Sequence, residues 1–197
     1  MRTYCRRKGF TTESTDISRR DLLLLGVATA ASTIIPSGVL GAATDIFVPE
    51  KKLSFMNTHT DEHLTATYWY QGEYLPDELS KINHILRDHR TGDVKPIDTG
   101  LLDLLYNLQR ILCTDAPFHI VSGYRSPQTN AALRKKSRGV AKNSFHQFGK
   151  AVDIRLPRYN LKMLRNTAKQ LQGGGVGYYP HLNFVHIDVG NVRYWRG

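Results

Sequence analysis

Between residues 44 and 197 the apolar residues change their repeat from segment to segment, and this alternation constrains the fold more than any other feature of the chain. "KKLSFMNTHT" and "LTATYWYQG" carry β-branched and aromatic residues around a polar turn at His59–His63, which reads as a strand pair. "LPDELSKINHILRDHR" follows with Leu79, Ile82, Ile85 and Leu86 on one stripe, Pro76 at its start, and Arg87 and Arg90 at its far end, the marks of a helix. After a turn at Gly92–Pro96, Leu101, Leu104, Leu105, Leu108, Ile111 and Leu112 recur at helical spacing. "FHIVSGYRS" is a short strand entering a loop, and "PQTNAALRKKS" a third helix opened by Pro127. "KAVDIRL" alternates as a strand, with Val152 and Ile154 facing away from Ala151, Asp153 and Arg155. A fourth helix, "NLKMLRNTAKQLQ", stops at Gly173–Gly175, and "VGYYP" with "NFVHIDVG" forms a closing hairpin. Strands interrupted by unpaired helices imply an α+β domain: a small, mostly antiparallel sheet with helices packed on it.

Residues 1–43 lie outside this pattern. Arg19 and Arg20 precede an apolar run from Leu22 to Ile35 that ends at Pro36 and a stretch of small residues. A basic region, a short apolar core and a small-residue exit make an export signal, cut between Gly41 and Thr44. The run is shorter than the about 20 residues that span a bilayer, so the processed protein is expected to keep no membrane span. The arginine pair indicates the twin-arginine route, hence a single domain over 44–197 acting in the periplasm.

Cleavage removes six Lys/Arg and three Asp/Glu from a chain of net charge +10, leaving 21 against 14, a net +7. That surplus favours anionic surroundings, and export makes nucleic acid the least suitable of them. Cys5 leaves with the signal, so the mature domain has no second cysteine for a disulfide, and Cys113, ending an apolar helical pattern, is expected in the core. With no cysteine cluster, a metal site has to use imidazole and carboxylate.

"SFHQFGKAVDIRL" places His146 and Asp153 on either side of a turn at Gly149, and "NFVHIDVG" sets Phe184, His186 and Asp188 on one strand face. Zinc accepts histidine and carboxylate, and a catalytic zinc keeps three protein ligands, which His146, Asp153 and His186 would supply. Taken singly, each is better read as a hydrogen-bonded or solvated polar residue. "HID" also fits the start of an iron facial triad, but no histidine follows Asp188. "GGGVGYYP" lacks the helix a dinucleotide loop requires.

In combination the motifs resemble a known group. "SFHQFGKAVD" matches the S-x-H-x-x-G-x-A-x-D pattern of the zinc D-Ala-D-Ala peptidases related to lysostaphin and the hedgehog fold, and "SGYRS" resembles a second signature of that group. "RGVAKNSFH", "GGGVGYYP", "FVHIDVG" and the terminal Arg–Tyr–Trp resemble the murein endopeptidase K family of Gram-negative bacteria, across the whole mature chain and its leader. The resemblance implies a D-Ala-D-Ala-peptidase-like fold, Zn2+ on His146, Asp153 and His186, and Arg125 in the active site. It also implies hydrolysis of cross-links between the anionic stem peptides of peptidoglycan.

One position departs from the pattern. The carboxypeptidase branch has a glutamate general base three residues before the last ligand, where this chain has Asn183. Asp188 or His181 is left as candidate base, Asp188 being equally suited to orienting a ligand histidine. Ser144 orients His146 or substrate, or is a turn hydroxyl. The substitution also motivates an alternative, a peptidoglycan-binding module of the same fold that has lost catalysis. The run Arg134–Lys136 with Arg138 reads as a solvated helix end, and Tyr178 and Tyr179 as core or groove residues. Oligomeric state is not legible.

Overall fold

The computed structural model describes residues 49–137 and 139–197. The expected export signal, Cys5 and Arg138 lie outside the described residues. Strands β1 (Glu50–Asn57) and β2 (His63–Tyr70) form the first hairpin, and a two-residue β3 (Glu73–Tyr74) extends it. Helices α1 (Pro76–Ile85) and α2 (Thr99–Ile111) lead to β4 (Phe118–Ser122), followed by α3 (Pro127–Lys136). A single 3-10 turn (Phe145–Phe148) enters β5 (Ala151–Arg155), and α4 (Leu161–Leu171) precedes β6 (Gly175–Tyr179), β7 (Phe184–Asp188) and β8 (Arg193–Arg196).

All eight strands join one sheet in the order β3-β2-β1-β4-β5-β7-β6-β8. The α+β class is as expected; the sheet is mixed, with five antiparallel and two parallel strand pairings, and it is not small. The helical crossover through α1 and α2 returns β4 parallel to β1, and β8 passes β7 to lie parallel to β6. The β6–β7 hairpin is therefore not the end of the fold. β8 escapes the sequence pattern because four residues at an edge carry too little alternation to register.

One face of the sheet carries the core. Leu53 and Phe55, Phe118 and Ile120, Val152 and Ile154, and Val185 and Ile187 are all at most 1% exposed. α2 packs on β1 and α4, and α4 packs on β6 and β7. Leu101, Leu105, Leu108, Leu164 and Ala168 close the layer from the helix side. Side-chain caps start three of the helices: Asp98 accepts from Gly100, Ser126 from Thr129 and Asn160 from Lys162. Each such cap stabilises by about 1 kcal/mol.

Two local expectations fail. α1 stops at Ile85 because its last carbonyls are taken from elsewhere: the Asn57 amide donates to the Ile85 carbonyl at 2.9 Å, and the Tyr124 N–H to that of Leu86 at 2.7 Å. Cys113 is exposed in a turn at φ 52; Leu112, 5% exposed, takes the final core position of that stripe. No helix of the described residues is long and apolar enough to cross a membrane. The end of α3 at Arg134–Lys136 is exposed, as expected.

Candidate metal centre

The opposite face of the sheet holds the site. Register places Asp153 on β5 directly across from His186 on β7, His186 across from Gly177 on β6, and Gly177 across from Trp195 on β8. One row thus crosses four strands, and period-two alternation puts its side chains on the face away from the core. The 3-10 turn brings His146 over the row. Gly149 ends that turn at φ 66, where a Cβ would stand 2.3 Å from the Pro96 carbonyl oxygen. Glycine is required there on both counts.

The "SGYRS" loop meets the turn at two points. The Gly123 carbonyl lies 2.7 Å from His146 Nδ1, and the Arg125 N–H donates to the His146 carbonyl at 3.1 Å. Gly123 is itself pressed on the end of α1, its absent Cβ 2.3 Å from the Leu86 carbonyl oxygen.

His146, Asp153 and His186 each offer a ligand atom within 4.8 Å of the other two. His146 Nε2 is 3.1 Å from His186 Nδ1 and 3.3 Å from Asp153 Oδ1, and His186 Nδ1 is 2.8 Å from the same oxygen. The remote atoms fix the protonation of this cluster. His146 Nδ1 donates to the Gly123 carbonyl and His186 Nε2 to Asp188 Oδ2 at 3.0 Å, so both inner nitrogens present lone pairs toward a carboxylate oxygen. Three acceptors facing one another need a cation or a shared proton between them. A tetrahedral zinc with bonds of about 2.0–2.1 Å would space its ligand atoms roughly 3.3 Å apart, close to the spacing here. The donor set therefore fits that ion.

Electrostatics agrees. Burial works to raise the Asp153 carboxyl, yet His146 and His186 hold it well below the usual carboxylate range. Burial lowers His146. Burial would lower His186 as well, but its hydrogen bonds to Asp153 and Asp188 raise it. Arg125 is 9% exposed; Nη2 lies 3.4 Å from Asp153 Oδ2 and 3.2 Å from Ser122 Oγ, while Nε is buried without a partner.

A cleft of about 410 Å³ opens over these residues, walled by Arg125, Ser144, Tyr179, Phe184 and Trp195 and by residues of the 137–143 segment. Tyr179 stacks on Phe184 with centroids 4.5 Å apart, and its hydroxyl accepts from Trp195 Nε1 at 2.9 Å. Tyr178 is 8% exposed and belongs to the core, so the tyrosine pair divides between the two faces. The Ser144 hydroxyl does not cap the turn that it precedes.

The two candidate bases do not line the cleft. Asp188 is fully buried behind His186. Its Oδ1 accepts from Gly175, Gly190 and Arg193 Nη1, and its Oδ2 from His186 Nε2 and Arg193 Nη2. Burial works to raise this carboxyl, but the bonds from His186 and Arg193 hold it well below its ordinary range. That is the geometry of a carboxylate orienting a neighbouring histidine, the other role open to Asp188. His181 is exposed in the β6–β7 turn, and Asn183 in the same turn has φ 55, a conformation asparagine tolerates. Trp195, Arg193 and the Gly123 carbonyl were not assigned by sequence reasoning. The signals available for the first two were glycine at alternate positions, 175 and 177, of a strand and the terminal Arg–Tyr–Trp of the family resemblance.

Comparison with known proteins adds an independent finding. A family model described as peptidoglycan L,D-endopeptidase MepK matches residues 45–195. The peptidoglycan L,D-endopeptidase MepK of Escherichia coli (strain K12) is 43% identical over 181 residues, 91% of this chain and 98% of the relative. The probable peptidoglycan L,D-endopeptidase MepK of Haemophilus influenzae is 39% identical over 184 residues, 92% and 97% of the two chains.

Proposed function

Because the chain belongs to the peptidoglycan L,D-endopeptidase MepK family, we propose that it hydrolyses peptide cross-links of peptidoglycan as a zinc enzyme of the periplasm, after export by the twin-arginine route. The observation that carries the zinc assignment is the convergence of one nitrogen each from His146 and His186 on an Asp153 oxygen, while the remote nitrogen of each ring is bonded elsewhere. His146, Asp153 and His186 would hold the ion, and the chemistry supplied there would be Lewis acidity, polarising the scissile carbonyl and lowering the pKa of water toward ~7.

The chain's own residues do the rest. The Gly123 carbonyl and Asp188 fix the tautomers of His146 and His186, so that each keeps a lone pair for the ion. Arg125, buried and fixed beside Asp153, offsets the charge developing on the carbonyl oxygen or receives a stem carboxylate. The Tyr179 hydroxyl, already accepting from Trp195, keeps its own hydrogen for a substrate oxygen. In the reaction, the oxygen of water joins the carbonyl carbon, the C–N bond breaks, and the proton goes to the departing amine. The net positive charge of the chain suits stems that bear carboxylates.

A second reading is favoured by one observation: among the described residues the cleft wall carries no carboxylate other than Asp153. A binding module without catalysis would look the same. Both readings predict zinc binding and affinity for sacculi. Incubation of the mature protein with cross-linked peptidoglycan, with zinc and then with a chelator, separates them. The enzyme releases uncross-linked muropeptides only with zinc; an unchanged muropeptide profile under zinc-replete conditions overturns hydrolysis.

A further inference from the structure

β6 is missing two side chains where β8 needs to reach across it. Gly175 and Gly177 lie on its site face, opposite Arg193 and Trp195 respectively. A Cβ on Gly175 would stand 2.5 Å from Asp188 Oδ2 and 2.6 Å from Arg193 Nη1; one on Gly177 would stand 2.5 Å from the Trp195 ring. Through the first gap Arg193 grips Asp188 with both prongs, Nη2–Oδ2 2.6 Å and Nη1–Oδ1 3.0 Å. Through the second, the Trp195 ring comes within 5.2 Å of the His186 ring.

The Arg193 guanidinium is held between two rings, its Cζ 5.2 Å from Phe145 and 5.1 Å from Trp195. Phe145 sits in the 3-10 turn beside His146. One side chain thus touches the turn that bears one ligand, the carboxylate that orients a second, and the ring packed on that second ligand. A planar, bidentate group does this; a lysine has one point of attachment.

We propose that Arg193 is a positioning residue of the metal centre, locking Asp188 so that His186 keeps Nδ1 directed at the ion while bracing the His146 turn through Phe145. The inference rests on the zinc reading above and adds a residue outside the ligand set, together with the reason for Gly175. It places the outermost strand in control of metal affinity.

The test uses the full mature chain and zinc alone as ligand. Arg193→Met, Arg193→Lys and Gly175→Ala are each titrated against a chromogenic chelator at fixed pH. The absorption of the cobalt-substituted proteins is recorded beside the titrations, as are melting curves without metal. Arg193→Met is expected to weaken zinc about tenfold, the lower end for loss of an outer partner of a ligand. Arg193→Lys should recover part of that loss. Gly175→Ala should weaken zinc too, although it removes no polar atom, because its methyl displaces the pair. The cobalt bands should shift in Arg193→Met, which a purely structural role would not cause. Zinc affinity within twofold of wild type in Arg193→Lys and Gly175→Ala, with unshifted cobalt bands, overturns the inference even if Arg193→Met does not fold. A wild-type protein that binds no zinc overturns the zinc reading itself, a different result.

Discussion

Replacing Gly149 by alanine separates two costs that coincide at one position. The first is conformational: at φ 66 an alanine incurs the left-handed penalty, about 1–2 kcal/mol. The second is steric, since the new methyl would stand 2.3 Å from the Pro96 carbonyl oxygen. That oxygen is backbone, and the Asp98 N–H of the same segment donates to the Gly149 carbonyl at 2.9 Å, so neither side yields cheaply. Overpacking of this kind costs about 1–3 kcal/mol. Gly92 supplies the control, at φ 78 with nothing within 4 Å of its built Cβ. Gly92→Ala should lose about 1–2 kcal/mol and Gly149→Ala about 2–5 kcal/mol, the change in unfolded-chain entropy being common to both. At about 2–4 °C per kcal/mol for a domain of this size, the melting temperatures fall by roughly 2–8 °C and 4–20 °C. Thermal and urea unfolding of the two variants measure this, and a zinc titration should be weakened in Gly149→Ala only. Equal losses in both variants would show that the Pro96 contact constrains nothing, and the account of how the His146 turn is held would fall.

His186→Ala should abolish zinc binding and muropeptide release together, measured by metal analysis of the purified protein and by digestion; retained activity removes His186 from the ligand set. Asp88 gives a pH signature from outside the candidate metal group. Burial works to raise its carboxyl, yet bonds from Thr129, from the Ser126 N–H and from the Arg90 N–H hold it down at about 2, against 3.8 ordinarily. A folded-state value below the unfolded one means stability present above about pH 4 and lost as pH falls toward 2. Urea midpoints should therefore drop over that window in the wild type, and Asp88→Asn should flatten the drop; an unchanged slope refutes the assignment.

The residues of the candidate metal group could be picked out in the sequence where they have a local cause. His186 and Asp188 share a strand face by period-two alternation, and Asp153 follows from a strand that starts just after the Gly149 turn. What joins them is not local. That Asp153 and His186 stand opposite one another depends on β7 pairing with β5 rather than on either segment. The supporting atoms were less visible still. The Gly123 carbonyl is backbone and leaves no residue-type signal, while Arg193 and Trp195 act across β6 through two missing side chains. Asp188 was named as a base from its place on the strand, but its hydrogen-bond partners come from β6, β8 and the turn after β7, and these point it away from the cleft. Helix ends misled for a related reason: α1 is cut short by donors from β1 and the "SGYRS" loop, which no periodicity contains.

The three candidate ligands are unequally anchored, and this bears on how an ion would leave. Asp153 and His186 ride on interior strands of an eight-stranded sheet, each flanked by paired neighbours on both sides. His146 rides on four residues of 3-10 turn. Segments with few backbone bonds open far more often than strands within a sheet. Escape of the ion would thus begin with a brief lifting of the turn, and its residence time would report that local opening rather than global unfolding.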